Sequence, residues 1–229
     1  SSQSMWSKTL ERLENIEAIT VDLLGCGLSP RPIHIRYTTD DHVAALRTTL
    51  KHLRLHKRPV ILVGHSLGGL IAIEYAHHYP HITRLILCAV PLYDPSDRVQ
   101  RLLNQQTQLY KLYEFARQQP EWTISTLTNI GLIIPVAKTM TINRQTWPSF
   151  ALTLENSIEQ QTAYSTIQQL HIPISLIYGT ADPVIIAKNY HQIKRRHRAI
   201  TLTKLLGSSH GVDARMRRVI ARSIKQISH

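Results

Sequence analysis

Short apolar runs rich in β-branched residues alternate along this chain with longer stretches whose apolar positions recur at helical spacing. The runs Ala18–Val21, Val60–Val63, Leu85–Cys88, Ile174–Tyr178 and Ala199–Leu202 read as strands. Most are hydrophobic at nearly every position, as suits strands covered on both faces. Helices are predicted over 5–14, 40–56, 67–78, 184–197 and 212–227. Thr39 or Asp40 is placed to cap the second, and Pro80 follows the end of the third. This rhythm predicts an α/β fold, a mostly parallel sheet with helices on both faces.

Between Pro91 and Pro173 the alternation stops. Leu102, Leu109, Leu112, Tyr113 and Ala116 share one helical face within a polar stretch. Trp122, Ile124 and Leu127 begin another, and Pro135 and Pro148 break the run. The expected organisation is a core of residues 1–92 and 169–229, with 93–168 inserted as a helical lid. Leu132, Ile133, Ile134, Val136 and Met140 either roof an apolar pocket or form that lid's own core.

The strongest chemical signal is Val60-Ile61-Leu62-Val63-Gly64-His65-Ser66-Leu67-Gly68-Gly69: a strand, then Gly-x-Ser-x-Gly, then an apolar helix. A sharp strand-to-helix turn lifts a serine hydroxyl above the sheet edge, and Gly64 and Gly68 are expected where side chains would clash. The helix start aims backbone N–H groups at the site, with Leu67 N–H placed to bind a developing oxyanion. The five-residue motif alone arises by chance in small-residue turns; the strand before it and the helix after it make it specific.

A serine hydroxyl needs a base to take its proton and an acid to orient that base. In the fold that this strand, glycine-flanked serine and helix resemble, the acid and then the histidine follow the serine in sequence. Beyond Glu159 the only acids are Asp182 and Asp213. Asp182 falls directly after a strand, in Tyr178-Gly179-Thr180-Ala181-Asp182-Pro183, although it could simply cap the next helix. Asp94, after the strand ending near Cys88, is the alternative acid. For the base, His210 in Gly207-Ser208-Ser209-His210-Gly211 lies in a loop after the last strand, whereas His191 and His197 fall in a helix and His229 ends the chain.

Composition narrows the class further. The chain has 229 residues, 43% hydrophobic and 18% charged, enough to bury a core, and no apolar run approaches membrane-span length. Net charge is +12, and +10 of it lies from Lys188 onward, where eleven Lys/Arg stand against Asp213. Tyr190 is the one aromatic accompanying those charges, so they read as solvated helix faces, and no nucleic-acid partner is expected. His77, His78 and His81 close the helix after Ser66, where cations suit the helix dipole, and no metal is assigned to them. Cys26 and Cys88 form no disulfide framework and are expected reduced, in a cytoplasmic protein. The opening Ser1-Ser2-Gln3-Ser4 reads as a loop entered in mid-course, so an upstream targeting segment stays open.

Four ordered motifs together resemble the α/β-hydrolase superfamily, in its single-domain, lid-bearing branch of esterases, lipases and carbon–carbon bond hydrolases. Asp22-Leu23-Leu24-Gly25-Cys26-Gly27-Leu28-Ser29 is similar to that family's turn after its fourth strand, and Gly64 to Gly69 to its nucleophile elbow. Gly179 to Val184 is similar to its acid turn, and Ser209-His210-Gly211 to its histidine loop. The resemblance implies that three strands and a second oxyanion donor would precede Ser1, and that this chain is truncated.

The expected function is cleavage of a small-molecule carboxylic ester or related acyl bond through an acyl-enzyme. Ser66 is the nucleophile, His210 the base, Asp182 its orienting acid and Leu67 N–H the oxyanion donor, with no cofactor. Carbon–carbon bond cleavage by the same triad is the enzymatic alternative. A non-catalytic ligand receptor on the same scaffold is the alternative from another class.

Overall fold

A computed structural model describes residues 3–94 and 144–226. Four parallel strands, β1 (Val60–His65), β2 (Ile82–Cys88), β3 (Ile174–Gly179) and β4 (Ile200–Leu205), pair in the order β1-β2-β3-β4. Among the described residues the α-helices are α1 (Ser7–Leu10), α2 (Thr39–His52), α3 (Leu67–His78), α4 (Trp147–Thr153), α5 (Ala163–Thr166), α6 (Ala187–Arg196) and α7 (Ala214–Lys225).

Period-two alternation along β2 sorts its side chains between two cores. Leu85 and Leu87 join α3, Tyr190 and Ile193 of α6, and Val43 and Leu50 of α2 on one face. Ile86 and Cys88 join Met216 and Ile220 of α7 on the other, where Met5 and Trp6 also pack. Every residue of β3 is buried, as its hydrophobic run requires of an interior strand covered on both faces. The helix α3 is apolar on nearly all sides for the same reason, and nine of its residues from Leu67 to Ala76 are buried. Among them is Glu74, whose carboxylate accepts hydrogen bonds from Thr162 Oγ1 (2.5 Å) and Thr166 Oγ1 (2.8 Å) and so fastens α5 to α3.

Three sequence expectations change. Ala18–Val21 forms no strand, and it does not pair with β1; Ile19 is 46% exposed. Strand propensity fixes an extended segment as a strand only when a neighbouring strand forms a ladder with it, and among the described residues no strand pairs with this one. The cap of α2 is Thr38 rather than Thr39 or Asp40. Its hydroxyl accepts from Asp41 N–H (3.2 Å) while Asp41 Oδ2 accepts from Thr38 N–H (2.9 Å), a reciprocal capping box. Asp182 caps nothing, because α6 starts at Ala187 after Ile186.

The expected lid lies mainly outside the described residues, including Leu102 to Ala116, Trp122 to Leu127 and Leu132 to Met140. Its described part from Trp147 is helical, with a π-helical turn at Leu154–Glu159. This part is tied to the body: Ser157 Oγ donates to Tyr37 O (2.8 Å), Asn156 Nδ2 to Arg36 O (2.9 Å) and Gln161 Nε2 to Pro91 O (2.6 Å). Ala163, Tyr164 and Ile167 already belong to the larger core.

Candidate active site

The parallel strands all point their carboxyl ends to one edge, and three of the loops that leave the sheet there, after β1, β3 and β4, carry the site. The first is the turn from β1 into α3. Ser66 N–H bonds Cys88 O of the adjoining strand (3.0 Å), and Ser66 adopts φ 53°, ψ −124°, a strained conformation for a residue with a Cβ. The turn is possible because Gly64 lacks a side chain: a Cβ there would lie 2.5 Å from Gly68 O and 2.6 Å from Gly69 Cα. The expected matching need at Gly68 is not found, since a Cβ there meets nothing within 4 Å among the described residues. The second tight approach belongs to Gly69, where a Cβ would be 2.2 Å from Val90 Cγ2. Leu67 is the first residue of α3, so its N–H has no acceptor within the helix and faces the end where the dipole is positive.

The second loop follows β3 and carries Asp182, and the third follows β4 and carries His210. They are held against each other by Ala181 N–H donating to Ser208 O (3.0 Å) and Gly207 N–H to Thr180 Oγ1 (2.8 Å). His210 Nε2 lies 3.0 Å from Ser66 Oγ, and His210 Nδ1 lies 2.8 Å from Asp182 Oδ2. The other carboxylate oxygen, Oδ1, accepts Val184 N–H (2.9 Å), which fixes the carboxylate plane. Asp182's side chain is fully buried and that of His210 is 7% exposed.

A carboxylate only accepts, so the contact with Asp182 puts the imidazole hydrogen on Nδ1 and leaves the Nε2 lone pair facing the serine hydroxyl. Such an arrangement can take a proton from Ser66 and hold it on an imidazolium stabilised by the buried acid. Asp94, the alternative acid, lies near the Tyr164 side chain instead.

His65 also belongs to this cluster, and the sequence did not single it out. Its Nε2–H donates to the His210 carbonyl oxygen at 2.6 Å, with the two rings 5.0 Å apart. Burial, reinforced by nearby His210, lowers its pKa to about 4. Glycine spacing marks Ser66, but nothing in the sequence marks a side chain whose partner is a carbonyl 145 residues away.

The other flagged residues lie apart from the relay. His77 and His78 stack edge-on at the end of α3, and His81 packs on Tyr75. Cys88 is buried in β2, where desolvation raises its thiol pKa, and no disulfide joins it to Cys26. Cys26 sits in the turn after Val21, which Asp22 organises: its Oδ2 accepts Leu28 N–H (3.0 Å) and its carbonyl accepts Ser29 Oγ–H (2.6 Å). Arg218, Arg222 and Lys225 of α7 line, with Arg12, a cleft of about 520 Å³ that contains no residue of the relay. Among the described residues, no helix is long and apolar enough to cross a membrane.

A sequence profile described as "Alpha/beta hydrolase family" matches residues 1–222, and the chain belongs to that family. It is 28% identical over 204 residues to the Bacillus subtilis (strain 168) protein named "Putative 2-succinyl-6-hydroxy-2,4-cyclohexadiene-1-carboxylate synthase", covering 82% of this chain and 72% of that protein. It is 34% identical over 107 residues to Arabidopsis thaliana "Probable lysophospholipase BODYGUARD 4", covering 45% of this chain and 25% of that one. The chain thus spans about a quarter of that plant relative's length. Among solved structures it is similar to MenH from S. aureus, with a TM-score of 0.76 at 17% identity, covering 100% of this chain and 91% of the other.

Proposed function

We propose that the protein is a serine hydrolase that cleaves a carboxylic ester or related acyl bond of a small molecule. The observation carrying this reading is the position of His210, within hydrogen-bond reach of Ser66 on one ring nitrogen and of Asp182 on the other. In the first half-reaction Ser66 Oγ attacks the substrate carbonyl carbon while His210 Nε2 takes its proton. The oxyanion so formed is stabilised by Leu67 N–H. Collapse of that tetrahedral species breaks the bond to the leaving alcohol, which receives the proton from His210. Water then repeats the sequence on the acyl-enzyme, returning Ser66 and releasing the acid. Asp182 stays ionised throughout and keeps the imidazole in one tautomer. Residues 93–168 are assigned as the cap over this site, and the cytoplasm as the compartment.

A second reading has one observation in its favour, the match to a protein named as a synthase over 82% of this chain. On that reading the same triad breaks a carbon–carbon bond or acts as a base on the substrate.

Hydrolysis of p-nitrophenyl esters of graded acyl length separates the two. Turnover that vanishes in Ser66→Ala and falls at least ~10³-fold in His210→Ala supports the hydrolase reading. Turnover that survives Ser66→Ala, or none with any ester, contradicts it.

A further inference from the structure

His65, between Gly64 and the nucleophile, takes no part in the proton relay, yet it reaches the histidine loop from the nucleophile's side. The loop between β4 and α7 is secured elsewhere. Toward the acid it is held by Ala181 N–H on Ser208 O and by Gly207 N–H on Thr180 Oγ1. Toward α7 it is held by Ser208 Oγ on Asp213, Arg215 Nη1 on Leu206 O and Arg217 Nη1 on Val212 O. Toward β1, apart from the Ser66–His210 contact itself, the hydrogen bond among the described residues is His65 Nε2–H to the His210 carbonyl, at 2.6 Å. Both side chains are buried, His65 at 5% and His210 at 6% residue exposure.

We propose that His65 is a positioning residue, which fixes His210 over Ser66 by holding the main-chain carbonyl of the base. The assignment rests on the reading above that Ser66 and His210 are the working pair. A carbonyl can only accept, so the His65 hydrogen sits on Nε2, and Nδ1 is left bare, with no hydrogen-bond partner among the described residues. The ring is therefore a neutral donor. That state suits the place: His210 becomes cationic in each turnover, and a second cation 5.0 Å away would oppose it, whereas a neutral imidazole does not. The strand also makes the hold rigid, because His65 ends β1 in register with Cys88. Displacement of a reacting group by about 1 Å can cost ~10²-fold in rate, so a donor that restrains the base along the Ser66 direction acts on the chemical step and leaves substrate binding alone.

The test compares His65→Leu, which removes the donor, with His65→Gln, whose amide nitrogen falls near the same place. His65→Phe stands in if the leucine variant does not fold. With p-nitrophenyl esters, the donorless variant is expected to lose ~10–100-fold in kcat with KM within about 3-fold, while the glutamine variant stays within about 5-fold of wild type. A donorless variant that keeps wild-type kcat, or a glutamine variant that falls with it, overturns the proposal. Amide hydrogen exchange over residues 207–212 gives a reading independent of turnover. Faster exchange in the donorless protein, restored by glutamine, supports the tie; equal exchange in all three overturns it. Should wild type hydrolyse no ester, the proposed function fails, and the exchange comparison alone decides whether His65 holds the loop.

Discussion

Gly179 and Ser208 meet so closely that a Cβ on Gly179 would lie 2.1 Å from the Ser208 carbonyl oxygen and 2.6 Å from its carbonyl carbon. Gly179 ends β3 and Ser208 begins the turn that presents His210, so this contact sets how near the acid loop and the histidine loop can stand. The obstacle is backbone, which cannot rotate away as a side chain does. We expect Gly179→Ala to push the histidine loop off Asp182, destabilising the fold by ~1–3 kcal/mol and lowering ester turnover more than stability alone explains. Thermal unfolding and kcat measured on the same preparation check this; a variant with wild-type kcat contradicts it.

The glycines of the elbow should divide in a way the motif does not suggest. Gly64→Ala drives a Cβ into the backbone of Gly68 and Gly69, so it is expected to abolish folding or activity. Gly68→Ala meets no described atom within 4 Å and lies in the first turn of α3. It should fold with unchanged or slightly raised stability, up to ~1 kcal/mol from helix propensity. Urea midpoints of the two variants measure the contrast, and equal losses would contradict it.

Acid sensitivity follows from two buried imidazoles. Burial lowers the pKa of His42, where neighbouring Asp41 pulls the other way, and that of His65, each to about 4 in the folded protein. Unfolded, each titrates near 6.5, so between those values the unfolded chain binds more protons and acidification favours it. This contribution is fully present above about pH 7, is lost as pH falls from about 6.5 to 4, and does not change further below that. It amounts to about 3 kcal/mol at most for each ring. Denaturation midpoints at pH 7.5, 6 and 5 should decline accordingly, and His42→Gln should decline less steeply. A parallel slope in the variant would contradict the assignment to His42.

Much of the site was legible because its signals are local. A strand, a glycine-flanked serine and an apolar helix sit within ten consecutive residues, and the acid and histidine each follow a strand that hydrophobicity alone identifies. What escaped the sequence depends on partners far along the chain, except at the cap of α2, where several adjacent residues could serve. Ala18–Val21 has strand propensity but no ladder. Gly69 rather than Gly68 is the tight glycine because Val90 comes from the next strand's exit. Thr38 caps α2 only because Asp41 turns back to it, a choice among adjacent Thr and Asp that composition leaves open. His65 reads as an ordinary residue within the motif until the histidine loop closes over it.

Labelling with a fluorophosphonate tests the central claim most directly, since only an activated serine attacks phosphorus at a useful rate. The account predicts one adduct per chain, located by peptide mass analysis on Ser66, absent in Ser66→Ala and at least ~10³-fold slower to form in His210→Ala. A folded protein that gains no adduct, or gains it on another serine, would contradict the assignment of Ser66 as the nucleophile.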